Sequence, residues 1–182
     1  MATYRIRGRD WEARRLLRAE RKGLEARGLS MIAGDTERAG ELLDAVLALL
    51  WPSTEAQETL DQADQADIDT LYADVFKQTY PVEAGKGIVP IPKAQWPVLS
   101  TPVRGLRRCE EKALRAANAE FLKGLRADGI ANVDAVADAT LAVVFPDPAD
   151  QAVLDRSPNA ACLSLFAEIR ERSKGKGGAV KN

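Results

Sequence analysis

Histidine is absent from the 182 residues, and the only thiols are Cys109 and Cys162. Without imidazole, Ser-His-Asp and Cys-His nucleophiles, His-ligated zinc and the usual general base near neutral pH are all excluded. Two cysteines so far apart have neither the ligand spacing of a zinc site nor the density of a disulfide framework, so both are expected to be reduced. The densest run of carboxylates, Asp61, Asp64, Asp67 and Asp69, is the one place where a hard cation could be imagined. It lacks the central glycine and terminal glutamate of a calcium loop, which favours a solvated helix-helix connection. No P-loop, GxGxxG, CxxC pair or EF-hand pattern occurs. The chain is therefore read as a non-enzyme, with no catalytic residue, cofactor or metal.

Arginine is the other residue type that could do chemistry, by holding phosphates. Residues 1–28 contain nine bases, from Arg5 to Arg27, against four acids, whereas residues 29–80 contain eleven acids against Arg38 and Lys77. The acidic half would repel nucleic acid, and with Trp11 the one aromatic among the arginines there is no repeated aromatic interleaving or recognition motif, so DNA binding through Arg5 to Arg27 is the weaker reading. Basic and acidic ends on one molecule suit ordered association with itself or with an extended partner. No stretch approaches the roughly 18 apolar residues of a membrane helix, and the N-terminus lacks the apolar core of a signal peptide. A cytoplasmic protein that does not enter membranes is expected.

The elements that would position these residues fall into two similar sets. A shift of 94 residues pairs Asp44–Thr79 with Asp138–Ser173 without a gap, giving 11 identities in 36 positions, among them Pro52/Pro146, Gln57/Gln151, Leu60/Leu154 and Leu71/Leu165. Apolar sites also exchange conservatively, as in Trp51/Phe145 and Tyr72/Phe166. Upstream, Arg21–Leu29 faces Leu122–Ile130 at a shift of 101, which would make the first copy's loop longer by seven. Charge polarity repeats too, since residues 104–126 are basic and residues 127–155 carry acids only. These agreements indicate an internal repeat.

Within the first set, Ala39, Leu42, Leu43, Val46, Leu47 and Leu50 follow helical spacing, with Asp35 or Thr36 as cap and Pro52 as stop. The corresponding helix is expected from about Asn132 to Phe145. Short helices or turns follow at residues 53–61 and 147–155, capped by Ser53 and Asp147, with Leu60 and Leu154 pointing inward. The last helices are expected at residues 66–79 and 160–173, where Cys162 stands in for an isoleucine as a small core hydrophobe. At the N-terminus, Tyr4-Arg-Ile-Arg alternates as a strand does. Gly8-Arg9-Asp10 would turn it into a second strand over residues 11–16, ahead of a helix over residues 18–27. Alternatively, Asp10 caps one helix running straight through from Trp11. The alternation favours the hairpin. In the second set, residues 110–127 read as helix throughout.

The resulting architecture is mainly α, two similar small helical modules in tandem with a short N-terminal β-hairpin. Module 1 spans residues 1–80, a Pro-rich linker residues 81–102, module 2 residues 103–173, and a flexible basic tail residues 174–182. The linker is expected to be extended, acting as a spacer tied down by Ile88, Ile91 and Trp96 or as a groove ligand.

The order of features resembles the tail assembly chaperones of long-tailed bacteriophages and prophages. The residues that carry the resemblance are the hairpin, the basic Arg14-Arg-Leu-Leu-Arg-Ala-Glu-Arg-Lys-Gly-Leu24, the helix ending at Trp51-Pro52, Leu60-Asp61, and Leu71-Tyr-Ala-Asp-Val-Phe-Lys-Gln-Thr-Tyr80. Phe145-Pro146 and Leu165-Phe-Ala-Glu-Ile169 repeat part of the pattern. The resemblance implies a host-cytoplasmic protein that coats the hydrophobic tape-measure protein and helps the major tail-tube protein polymerise around it. It also implies a longer form made by frameshifting, for which codons at Lys174-Gly175-Lys176 would be the place to look. On this reading Trp51, Tyr72, Phe76, Trp96, Phe145 and Phe166 are the candidate client-binding residues. The alternative is a virion component such as a tail-completion, neck or tube-associated protein.

Overall fold

A computed structural model describes residues 2–32, 37–83, 87–117 and 133–174 of the chain. It is mainly helical and begins with a two-stranded antiparallel hairpin. The residues group into two compact units, Met1–Pro81 with Pro158–Ala160 and Val82–Ser157 with Ala161–Asn182.

In the first unit, β1 (Ala2–Ile6) pairs with β2 (Arg9–Ala13) in a register that sets Tyr4 opposite Trp11 and Ile6 opposite Arg9. The turn is therefore Arg7-Gly8, earlier than the sequence suggests, and both residues have positive φ, 49° and 77°. Two consecutive positive φ values define the tight hairpin turn whose twist matches that of the strands. Alternation then buries Ile6, Trp11 and Ala13 and leaves Arg5, Asp10 and Glu12 exposed.

Helix α1 (Arg18–Ala26) starts where the Glu20 carboxylate accepts the Leu17 N–H at 2.8 Å and binds Arg14. It ends at Gly28, whose φ of 74° lets Leu29 N donate back to Leu24 O at 3.0 Å. Next come α2 (Ala39–Leu50), α3 (Thr54–Asp61) and α4 (Gln65–Thr79). Pro52 cannot continue α2, and the Ser53 hydroxyl accepts the Ala56 N–H at 3.2 Å to cap α3. Leu24, Leu42, Val46, Leu60, Leu71 and Val75 fill the interior. Residues 33–36, which include the expected caps Asp35 and Thr36, lie outside the described residues.

In the second unit, β3 (Val82–Glu83) pairs with β4 (Gly87–Ile88), and a 3-10 turn at Lys93–Gln95 leads into an extended segment. Helix α5 (Arg108–Ala117) follows, and the remainder of the helix expected over residues 110–127 lies outside the described residues. Then come α6 (Val133–Val144), α7 (Pro148–Asp155) and α8 (Asn159–Ser173). Asp147 caps α7 by accepting the Ala149 N–H at 2.8 Å, with Pro148 in the first turn, where a missing N–H costs nothing. Leu141, Val144, Phe145, Leu154, Cys162, Leu165 and Ile169 form the core, and Trp96, Leu99, Val103 and Leu106 pack against it.

Each boundary of α6, α7 and α8 falls 94 residues after the matching boundary of α2, α3 and α4. The same hydrogen bonds recur at that spacing. Gln57 Nε2 donates to Leu47 O and Trp51 O at 3.4 and 2.6 Å, and Gln151 Nε2 donates to Leu141 O and Phe145 O at 3.3 and 2.7 Å. Upstream the spacing is different. Arg14 pairs with Glu20 and Arg104 with Glu110, a shift of 90, so the second unit has the longer connection, by four residues. The expected partner of Arg21–Leu29, Leu122–Ile130, lies outside the described residues.

Candidate protein-binding surface

The corner between α2 and α3 sets up the first unit's surface. Pro52 and Ser53 break the helix, and the Gln57 amide donates to Trp51 O and, more weakly, to Leu47 O, which already accepts the Trp51 N–H. Trp51 is thereby held partly exposed at the corner, its ring edge-on to Trp11 at 5.5 Å and 83°. The Trp11 indole donates to Ile6 O at 3.3 Å, so its polar atom is satisfied within the hairpin. Arg9 lies 5.4 Å from the Trp11 ring centre and pairs with Glu55 at 3.2 Å. Together Arg9, Asp10, Trp11, Leu50, Trp51, Pro52, Ser53 and Ala56 line a shallow groove. Its floor is indole and aliphatic carbon, and its rim carries charges of both signs.

The second unit builds the same corner and covers it. Phe145 is 0% exposed, in a core against which a strap of residues 96–106 packs Trp96, Leu99, Val103 and Leu106. Asp150 fastens the strap, accepting from Ser100 N at 2.7 Å, Ser100 Oγ at 2.9 Å and Thr101 N at 3.0 Å. Hydrogen bonds from the Thr101 side chain and from Ser100 hold the Asp150 carboxyl well below the usual range, at about 2. The Trp96 indole donates to Ile91 O at 3.1 Å, and Lys93 sits 5.4 Å from its ring centre.

Of the six residues the sequence singles out, Trp51, Tyr72, Phe76 and Trp96 keep part of their surface. Tyr72 and Phe76 lie one turn apart on α4, where partial burial raises the Tyr72 hydroxyl pKa and Phe76 packs on Tyr80 with ring centres 5.3 Å apart. Phe145 and Phe166 are a correction. Both are buried and cannot meet a client in the folded protein. Arg9 and Trp11 join the surface only through the Arg7-Gly8 turn, which sets Trp11 opposite Tyr4; a turn at Gly8-Arg9-Asp10 would put Trp11 on the other face.

Arg18 and Arg21 are 2% exposed, and Arg21 pairs with Glu25 at 2.6 Å, which removes two bases from the surface that phosphates could reach. Cys162 is buried and Cys109 exposed. Among the described residues, no three acids or cysteines converge as metal ligands, and no helix is long and apolar enough to cross a membrane. No family model, curated protein or solved structure matches the chain.

Proposed function

We propose that the protein is a non-enzymatic tail assembly chaperone that binds the tape-measure protein and assists tail-tube assembly. The observation that carries this reading is the groove at Trp51, an aromatic surface held open by a rigid corner and rimmed by charge. Such a surface suits apolar helical or extended segments of many sequences, because indole faces give contact area with little side-chain entropy to lose. The order of hairpin, basic stretch, Trp-Pro corner and final helix supports the same reading. Trp51, Tyr72, Phe76 and Trp96 are the contact residues it retains.

Co-expression with a tape-measure fragment tests the proposal. The fragment should stay soluble with the wild-type protein and precipitate with Trp51→Ala, provided the variant's circular dichroism is unchanged. A fragment whose solubility ignores the protein removes the chaperone reading, and recovery of the protein in purified particles supports a virion component instead.

A further inference from the structure

The two units differ in what lies over the corner between the first two helices of their matching sets. Trp96 and Leu99 pack on the core that contains Phe145 in the second unit, whereas the groove beside Trp51 is open in the first. Arg9, which stands 90 residues before Leu99, reaches towards Trp11 and Glu55 instead of closing the groove. An apolar side chain supplied from elsewhere would therefore fill a position that the second unit fills for itself.

The strap carries such a side chain. Among the described residues, Val98 is the one large apolar side chain that stands exposed, at 91%. Trp96 has φ −78° and ψ 151°, close to polyproline II values. With three residues per turn, Trp96 and Leu99 share the side that faces the core, and Val98 projects from another. Pro97 and the two anchored neighbours fix the backbone beneath it, so docking Val98 orders little that is not already ordered. The charges also match. Residues 88–107 contain no acid, and although Lys93 pairs loosely with Glu168 at 3.7 Å and Arg104 closely with Glu110, the Lys93 side chain stays 70% exposed. Residues 53–69, which run from the rim of the groove, contain six acids and no base, and of these acids Glu55 pairs with Arg9.

We infer that Val98 of one copy seats in the Trp51 groove of a second copy, with Lys93 beside Glu55 and Glu58. The two surfaces differ, so copies joined by one such contact can extend into a chain or close on themselves, the smallest closed form being a reciprocal pair in which each copy's Val98 fills the other's groove. It uses the groove that the chaperone reading gives to a client, so the two occupants compete there, and association of the protein alone tests this one without a client.

Light scattering and sedimentation over a concentration series test this with the wild-type protein, Val98→Asp, and the double variant Glu55→Lys with Glu58→Lys. All three changes lie on exposed side chains, and circular dichroism confirms that each protein is folded. The wild type should associate, less so at high salt, and each variant should weaken association by at least about tenfold, as expected for a central contact or a reversed rim. Mixing the two variants is the decisive step. Val98→Asp keeps an intact groove and the double variant keeps Val98, so an equimolar mixture should regain one contact and form particles of twice the monomer mass. A monomeric wild type, association that survives either variant, or a mixture that stays monomeric overturns the inference.

Discussion

Arg14 and Glu20 meet in two parallel hydrogen bonds, of 2.8 and 2.6 Å, and the same carboxylate accepts the N–H of Leu17 at the start of α1. Arg104 and Glu110 repeat the arrangement at 2.7 and 2.8 Å, with Arg107 in the place of Leu17. The element behind them recurs as well. Leu16 N donates to Thr79 Oγ1 and Leu106 N to Ser173 Oγ, at 3.1 and 2.8 Å. The incoming chain is thus tied at both ends to its own unit's last helix and next helix.

These carboxylates make stability depend on acid. The Arg104 side chain and the Arg107 N–H lower Glu110 to about 2, and Asp150 is lowered to about 2 by Thr101 and Ser100. Both folded values lie below the ordinary carboxylate range of roughly 4, so their contribution is complete above about pH 5 and is lost as pH falls towards 2. Denaturant midpoints measured between pH 6 and pH 2 should drop in acid. The variant combining Glu110→Gln and Asp150→Asn should show a shallower drop, and an identical slope would refute the assignment.

Gln57 and Gln151 should matter to similar degrees. Each amide reaches one helix-end carbonyl at short range, Trp51 O or Phe145 O, and adds a longer bond to Leu47 O or Leu141 O, which already accept a backbone N–H. Gln57→Ala and Gln151→Ala should therefore each cost about 1 kcal/mol in urea unfolding. A loss near zero at either site would mean that water replaces the amide without penalty.

Gly28 ends α1 with positive φ, and a Cβ there would come within 2.8 Å of Arg38 Nη1. Because that guanidinium can move, the backbone sets the cost, and Gly28→Ala should destabilise by about 1–2 kcal/mol. Thermal unfolding should show a lower midpoint, with the helical signal of the folded state retained.

The two thiols should separate cleanly. Cys109 is exposed, while Cys162 lies in the core with Sγ 3.6 Å from Leu154 O. A maleimide should label one thiol of the folded protein promptly and the second only in denaturant. Fast double labelling of native protein would contradict the buried position of Cys162.

What the sequence made legible, and what it did not, divides by the range of the interaction. Pro52, Pro146, Ser53 and Asp147 act within a turn of themselves, and the helices begin and end close to where those residues require. Leu60 and Leu154 point inward as their spacing demands. The hairpin turn moved to Arg7-Gly8 because the tight turn uses two positive φ values, and nothing in an arginine announces one. Phe145 and Trp51 occupy the same step of the same pattern, yet one is covered and the other partly open. Their difference lies in the chain upstream, Trp96 and Leu99 in one unit and the hairpin in the other, and helical periodicity carries no information at that distance. The Arg14–Glu20 and Arg104–Glu110 pairs were missed for a related reason, since a contact six residues long crosses from loop to helix and belongs to no regular period.

The Asp150 clamp also has a mechanical meaning. Tension applied to the chain ahead of Trp96 reaches the helices through the strap, and on that route the polar resistance includes three hydrogen bonds converging on one carboxylate. A single protonation weakens all three together. Under load the strap should therefore yield as a unit at a force that depends on pH, detaching Trp96 and Leu99 and uncovering Phe145 while α7 keeps its own backbone bonds.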